Sequence, residues 1–146
     1  MKGGDSMNLS KNFTLEEMIH TDTGLPNWAN QDEIEKLKWL AENILQTIRD
    51  ALGPIKINSA FRSEQVNEAV GGVETSQHRL AEAADIEPLG KTLEEAYDWI
   101  RHNISFGQLI MEHKGSDRWI HVSRPRADKP NMMCLRYENG KYTTVT

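Results

Sequence analysis

The strongest constraint on the fold is a helical pattern between Asn30 and Leu52. Apolar residues recur there at intervals of three and four, which places them on one face of an α-helix. These residues are Ile34, Leu37, Ala41, Ile44, Leu45, Ile48 and Leu52. Gly53 and Pro54 follow directly, and both residue types stop helices. The pattern therefore predicts one long helix with a single apolar face.

Two further helices are predicted from capping boxes, in which a threonine and a glutamate three residues later satisfy each other's backbone groups. The first box spans residues 14–17, and the second, at 92–95, opens a helix that runs to about His102. Strand-like patterns occupy 55–58, 83–86, 108–112, 119–123 and 132–137, with a last strand near Thr143 after the hairpin signal at 139–140. Helices come first and consecutive strands last, an order typical of α+β proteins.

Length and composition limit the class of protein. A chain of 146 residues fits one domain, and we expect residues 11–146 to form it, after a disordered lead over residues 1–10 that is clearest in the Gly-rich segment 1–6. The net charge of -5 argues against nucleic-acid binding. With Cys134 as the single cysteine, an internal disulfide is excluded. No apolar stretch long enough for a membrane span and no signal-peptide pattern is seen, so we expect synthesis in the cytoplasm. We also expect a monomer.

Three residues are candidates for chemistry. His78 and Asp85 alone form a weak signal, because loop histidines are usually solvated and an aspartate beside a strand commonly caps or pairs. The third candidate is His121 in the alternating strand 119–123, where it shares a face with Trp119 and not with the apolar pair Ile120 and Val122. An imidazole beside a large aromatic suits a pocket. The alternative is a histidine satisfied by a neighbouring backbone carbonyl.

Two histidines and one carboxylate form a known type of catalytic zinc site, because they leave a fourth position open for water. A structural zinc site is normally closed by four protein ligands, usually including thiolates, and this chain has one cysteine. If the three candidates bind Zn²⁺, the site is expected to be catalytic.

Several short segments, taken together, resemble the zinc D-Ala-D-Ala carboxypeptidase family, which also includes phage endolysins. They appear in the family's order and at suitable spacing over about residues 11–123. The segments are 57–63, Asn67, Gly71-Gly72, 76–78, 83–86, 108–110 and 119–123, joined by 13–17 and Asn27, which resemble the phage-type members.

The resemblance implies a hedgehog/D,D-peptidase-like fold, with an antiparallel sheet of about four to five strands and helices packed on one side. It implies that His78, Asp85 and His121 bind zinc, and that Arg62 binds substrate and steadies the charge that develops on the attacked carbonyl. Ser76 and Trp119 are expected to contact substrate. That substrate would be a stem or crosslink peptide of peptidoglycan. A phage or prophage lysis enzyme that a partner holin releases to the wall would fit this set of features.

The chain departs from the family pattern at two positions. Ala81 stands where members often have glycine, and Arg118 stands where many have an acidic general base. Glu112 and Asp117 are the remaining candidates for the base. We prefer Glu112, because pairing of its strand with 119–123 across the turn would let it face His121. Asp117 is nearer in sequence but lies in the turn, where aspartate is an ordinary turn former.

His113 is a further candidate for acid-base chemistry, although turn histidines are more often merely exposed. Two alternatives to an enzyme stay open at this point. The first is a zinc-containing binding module without efficient chemistry, which Arg118 favours. The second is a structural protein in which the cluster is ordinary packing. The bond that would be cut is also open, because D-Ala-D-Ala carboxypeptidase and both crosslink and L-Ala-D-Glu endopeptidase activities need the same metal core.

Overall fold

The structure, a computed structural model, describes residues 7–145. The helices are α1 (Leu15–Met18), α2 (Gln31–Leu40), α3 (Gln46–Leu52), α4 (Glu64–Ala69) and α5 (Leu93–Asn103). The strands are β1 (Ile55–Ser59), β2 (Ala83–Pro88), β3 (Gln108–Lys114), β4 (Asp117–Ser123), β5 (Met133–Glu138) and β6 (Lys141–Thr144). Within residues 7–145, none of the helices has the length and apolar character needed to cross a membrane.

The packed domain begins before the predicted boundary at residue 11. Leu9 is 2% exposed and belongs to the hydrophobic core, and Asn8 forms a β-bridge with Thr14. Residues 8–10 are therefore part of the domain and not of a disordered lead. The rest of the predicted lead, residues 1–6, lies outside the described residues.

The predicted long helix is present, but a π-helical turn interrupts it. The Asn30 side chain caps α2, and a capping box with Glu33 completes the first turn. Between α2 and α3 the chain forms a π-helical turn at Ala41–Leu45. The π turn shifts the helical phase in a way that residue spacing does not reveal. The apolar face is nevertheless buried as expected, with Leu37, Ala41, Ile44, Leu45 and Ile48 in the core.

The sheet has six strands in the order β1-β2-β4-β3-β5-β6. All neighbouring strands are antiparallel except β3 and β5, which are parallel. The sheet therefore has one strand more than the about four to five expected, and one of its pairings is parallel where an antiparallel sheet was expected. The connection 124–132 explains the parallel pair. It leads from the end of β4 past the start of β3, so β5 begins beside Gln108 and runs in the same direction as β3.

Side chains alternate between the two faces of this sheet. One face carries core residues such as Ile86, Ile120 and Leu109, which pack with Ile44 and Ile100 from the helices. The other face carries the polar side chains of β2, β4 and β3 and borders an open cleft. The α+β prediction is confirmed, and the helix layer leaves one face of the sheet free for chemistry.

Candidate metal centre

The centre is built on the pairing of β2 with β4. Asp85 and His121 are direct partners in the register of these antiparallel strands, so their side chains project side by side from the same face. His78 joins them from the turns that precede β2. One ligand atom from each of the three lies within 4.8 Å of the others, and all three side chains are buried. The structure thus brings together the three residues that the sequence singled out.

His78 is held by the backbone. Its Nδ1 lies 2.7 Å from the carbonyl oxygen of Ala60, and its Nε2 lies 3.2 Å from Asp85 Oδ1. A carbonyl oxygen only accepts hydrogen bonds, so Nδ1 carries the proton of the neutral ring. The lone pair of Nε2 therefore faces Asp85.

His121 is held by a side chain instead. Its Nε2 lies 2.7 Å from Gln77 Oε1, while its Nδ1 lies 3.1 Å from Asp85 Oδ1. The amide oxygen is also an acceptor, so it requires the proton on Nε2 and leaves the lone pair of Nδ1 facing Asp85. The two histidines use opposite ring nitrogens toward the same carboxylate.

This donor set fits a metal ion. Each neutral imidazole donates its single N–H to an acceptor outside the group. Two nitrogen lone pairs and one carboxylate therefore converge on the same space. Such an arrangement is repulsive by itself and favourable around a cation. Two imidazoles and one carboxylate match the preferences of Zn²⁺ and leave a coordination position open.

The charge of Asp85 supports the same interpretation. Burial by itself raises the pKa of the Asp85 carboxyl, but positive charge on the rings of His78 and His121, each with a proton donated to the carboxylate, holds that pKa well below its usual range. When the rings are neutral and their lone pairs face Asp85, a metal ion between them supplies the same positive charge. Asp85 is 6% exposed and ionised. A buried carboxylate of this kind needs partners of opposite charge.

Arg62 lies next to this group. Its Nη2 is 3.9 Å from Asp85 Oδ2, and its Nη1 donates to Asn67 Oδ1 over 3.4 Å. Asn27 fixes the backbone on both sides of Arg62, because its amide donates to the Phe61 carbonyl at 3.0 Å and accepts from the Ser63 N–H at 2.6 Å. Burial lowers the pKa of the Arg62 guanidinium, and the nearby charges of Asp85 and Glu112 oppose this effect.

Gly72 provides the space for Arg62 and Asn67. A Cβ atom at Gly72 would overlap Asn67 Oδ1 and would lie 3.2 Å from Arg62 Nη1. The Asn67 side chain has little freedom to move away, since it is 5% exposed and donates to the Val73 carbonyl at 2.7 Å. A glycine is therefore required here for steric reasons.

The structure separates the two candidates for the general base. Glu112 lies on β3 opposite Trp119, and its Oε2 is 4.0 Å from His121 Nδ1. Burial raises the pKa of the Glu112 carboxyl, and the negative charge of Asp85 raises it further, against the opposing effects of His121 and Arg62. Asp117 is the first residue of β4 and is exposed. It lies four residues before His121, which is roughly 13 Å along a strand that rises about 3.3 Å per residue. Only Glu112 lies beside the metal group.

Arg118, which stands where an acid was expected, does not face the group. It lies three residues before His121 on a regular strand, so its side chain projects from the opposite face. Its Nη2 donates to Glu94 Oε2 of α5 over 3.0 Å. An acid at position 118 would point in that same direction, whereas Glu112 on the neighbouring strand points toward His121. His113 is half exposed, and its Nδ1 lies 4.0 Å from Glu138 Oε2.

Ala81, the other departure from the family pattern, has a left-handed backbone with φ of 60°. Glycine adopts this conformation without steric cost, and alanine does so at a cost of about 1 kcal/mol. The position therefore favours glycine because of its backbone angle, and alanine is accommodated with its methyl group buried.

The group opens into a cleft of about 1080 Å³. Ser76 and Trp119, the predicted substrate contacts, both line it. The Ser76 hydroxyl oxygen also accepts the backbone N–H of His78 at 3.3 Å, which shapes the turn. Tyr137 and Tyr142 of the β5–β6 hairpin complete one wall, with ring centroids 4.6 Å apart.

Sequence reasoning did not assign a role to Gln77, Tyr137 or Tyr142. Gln77 was visible only as the middle residue of the Ser76-Gln77-His78 motif, and no pattern showed that its side chain reaches β4. The tyrosines enter the cleft because β5 pairs with β3, and strand order is not encoded in any short pattern.

The centre consists of two histidines, a carboxylate and an open position, and a second carboxylate and a guanidinium lie beside it. This combination defines the site of a metal-dependent hydrolase. Comparison with models of protein families matches residues 11–123 to the family described as Peptidase M15. The match covers more than half of the chain, so the protein belongs to the peptidase M15 family of zinc-dependent peptidases. The six-stranded α+β fold agrees with the hedgehog/D,D-peptidase-like fold of that family. A comparison with curated proteins found no match.

We expect Gly72→Ala to destabilise the domain by about 1–3 kcal/mol, because the added methyl group displaces the buried Asn67 side chain. Gly90→Ala is the matched control, since a Cβ there meets no atom within 4 Å, and it should change stability by less than about 0.5 kcal/mol. Urea unfolding of the three proteins measures the difference. Equal stability of the two variants would contradict the steric account of Gly72.

Proposed function

We propose that the protein hydrolyses peptide bonds in bacterial peptidoglycan, with zinc held by His78 Nε2, Asp85 and His121 Nδ1. The observation that carries this proposal is the convergence of three ligand atoms within 4.8 Å at the floor of an open cleft. Membership of the peptidase M15 family supports a peptide substrate. Three further points stay predictions: that the protein is a monomer, that it is released from the cytoplasm as phage lysis enzymes are, and that it then acts on the cell wall.

The open position of the donor set is what makes the centre useful for hydrolysis. When bound, zinc supplies a Lewis acid that polarises the scissile carbonyl and makes water acidic enough to attack at neutral pH. His78, Asp85 and His121 would hold it from the floor of the cleft, on the buried side, while the peptide enters from the solvent side.

Glu112 is the residue best placed to move the proton. Its carboxylate lies in the cleft and only 4.0 Å from a ligand nitrogen, so a water molecule at the open position is within its reach. Its pKa is raised by burial and by Asp85, which brings it closer to the pH at which it must both accept and return a proton. Glu112 accepts the proton of the attacking water and then delivers it to the leaving amine.

Arg62 stabilises the oxygen that becomes negative during the attack. Its guanidinium stays charged and is fixed by Asn67 and by the Asn27 contacts on either side of its backbone. A preorganised cation at the point where charge develops costs little reorganisation in the reaction. The same fork of donors suits a substrate carboxylate.

The shape of the groove favours cleavage within a peptide. A second cavity of about 870 Å³ shares Asp85 and Trp119 with the main cleft and continues toward Lys56, Asn58 and Glu87. A substrate can therefore extend to both sides of the metal group. An enzyme that removes only a terminal residue needs a wall on one side. We therefore favour the endopeptidase activities over D-Ala-D-Ala carboxypeptidase activity.

A zinc-containing binding module is the second candidate function. Its support was Arg118 in the place of an acidic base. That support is weakened by the position of Glu112, which supplies a carboxylate to the centre from the neighbouring strand.

We expect the purified protein to bind about one zinc ion per chain, as one complete donor set implies. It should release peptide fragments from purified peptidoglycan, and chelation or His121→Ala should abolish the release. Mass spectrometry of defined muropeptides identifies the bond: fragments cut at an internal bond are expected. Release of D-alanine alone would contradict the endopeptidase assignment, and bound zinc without any product would leave the binding module.

We expect Glu112→Gln to lower kcat by about 10²- to 10⁴-fold while zinc stays bound, because the amide cannot accept the proton of water. Asp117→Asn should keep kcat within about tenfold of the parent protein, since Asp117 lies at the far end of β4. Kinetics on one muropeptide, together with zinc content, compare the two variants. Full activity in Glu112→Gln would overturn the assignment of the base.

A further inference from the structure

The side chain of Gln77 joins the metal centre to the strand that carries it. Its Oε1 accepts from His121 Nε2 at 2.7 Å, and its Nε2 donates to Ser123 Oγ at 3.2 Å. His121 and Ser123 are two residues apart on β4 and therefore share a face, so one amide group spans both. Among residues 7–145, Gln77 is the only side chain that forms a hydrogen bond with His121 Nε2.

Ser123 anchors this amide. It is fully buried, and its hydroxyl oxygen accepts the backbone N–H of Gln108 at 2.8 Å. That oxygen has a second lone pair for the N–H of the Gln77 amide. In the structure the amide presents its NH₂ group to Ser123 and its oxygen to His121.

We propose that Gln77 is a positioning residue for the metal centre: its amide oxygen holds His121 in the tautomer protonated on Nε2 and so turns the Nδ1 lone pair toward His78 and Asp85. This role rests on the function proposed above, because it acts on zinc binding. Gln77 contacts the ring nitrogen of His121 that points away from Asp85, so it acts through the ring of His121.

The opposite amide orientation would have the opposite effect. An NH₂ group facing His121 would donate to Nε2, and the ring proton would then sit on Nδ1, between the ring and Asp85. In that state His121 has no lone pair to offer the metal. The direction of one amide therefore decides whether the third ligand is available.

His78 provides an internal comparison. Its outer nitrogen donates to the carbonyl oxygen of Ala60, a backbone group that no substitution removes. Its tautomer is therefore independent of side-chain chemistry, whereas that of His121 depends on a single replaceable residue. Changes at Gln77 should affect one ligand of the three and leave the other two in place.

Two substitutions separate positioning from packing. Gln77→Met has a similar length but lacks the acceptor, and we expect it to weaken zinc binding by about 10- to 100-fold. Gln77→Glu keeps one oxygen that accepts from His121, and its second oxygen can accept from the Ser123 hydroxyl. Its zinc dissociation constant should therefore stay within about threefold of that of the parent protein. Gln65→Met makes the same chemical change at an exposed position of α4 and serves as the control. Competition with a chelator gives the zinc dissociation constants.

If Gln77→Met and Gln77→Glu weaken zinc binding equally, Gln77 acts through packing. If neither variant changes zinc binding, Gln77 has no effect on the metal. Either result overturns the proposal. Long-range ¹H–¹⁵N NMR of the zinc-loaded parent protein should show the proton of His121 on Nε2 and the metal on Nδ1. The reverse assignment would contradict it.

The failure of the proposed function is recognised separately. If the parent protein binds no zinc, the proposed function is wrong. The role of Gln77 can then still be tested by determining the tautomer of His121 in the zinc-free protein, at a pH well above the ordinary histidine pKa of about 6.5. A proton on Nε2 in the parent protein that is lost from Nε2 in Gln77→Met supports the role. A proton on Nδ1 in the parent protein overturns it.

Discussion

The register between β2 and β4 is the interaction on which the metal centre depends. It places Asp85 directly beside His121 on one face, and on the other face it pairs Ala84 with Val122 and Ile86 with Ile120 in the core. A slip by one residue would move all of these side chains to the wrong face. Since burial of the apolar set selects one register, the hydrophobic core also determines the spacing of two metal ligands.

The metal centre also requires neighbouring groups that stabilise the buried negative charge of Asp85. An ionised carboxylate away from water is costly unless it is paired. Arg62, 3.9 Å from Asp85 Oδ2, meets this requirement on one side of the carboxylate, while Oδ1 faces a ring nitrogen of each histidine. Outside the group, Ala60 and Gln77 take the N–H groups of the two rings, so that the inner nitrogens keep their lone pairs. A divalent cation completes this balance of charge, and Glu112 then stands at the edge where a proton has to move.

Local patterns identified most of the elements and made His78, Asp85 and His121 candidates, and the family resemblance assigned these three as ligands. The strand that carries His121 could be recognised because Ile120 and Val122 alternate with polar residues, and the long helix because its apolar spacing is regular. The parallel pairing of β3 with β5 could not be predicted, since it depends on where the loop 124–132 leads the chain. For the same reason the tyrosine wall of the cleft stayed hidden. Gln77 was also hidden, because a glutamine in a turn has no periodicity and its partner lies 44 residues away.

The most direct test of the account is the anomalous scattering of a zinc-loaded crystal at the zinc absorption edge. We expect one strong peak at about 2.0–2.2 Å from His78 Nε2, His121 Nδ1 and a carboxylate oxygen of Asp85, with a further position facing the cleft. A peak at another place, coordination by His121 through Nε2, or no peak in a crystal grown with zinc would contradict the assignment of these residues as the metal centre.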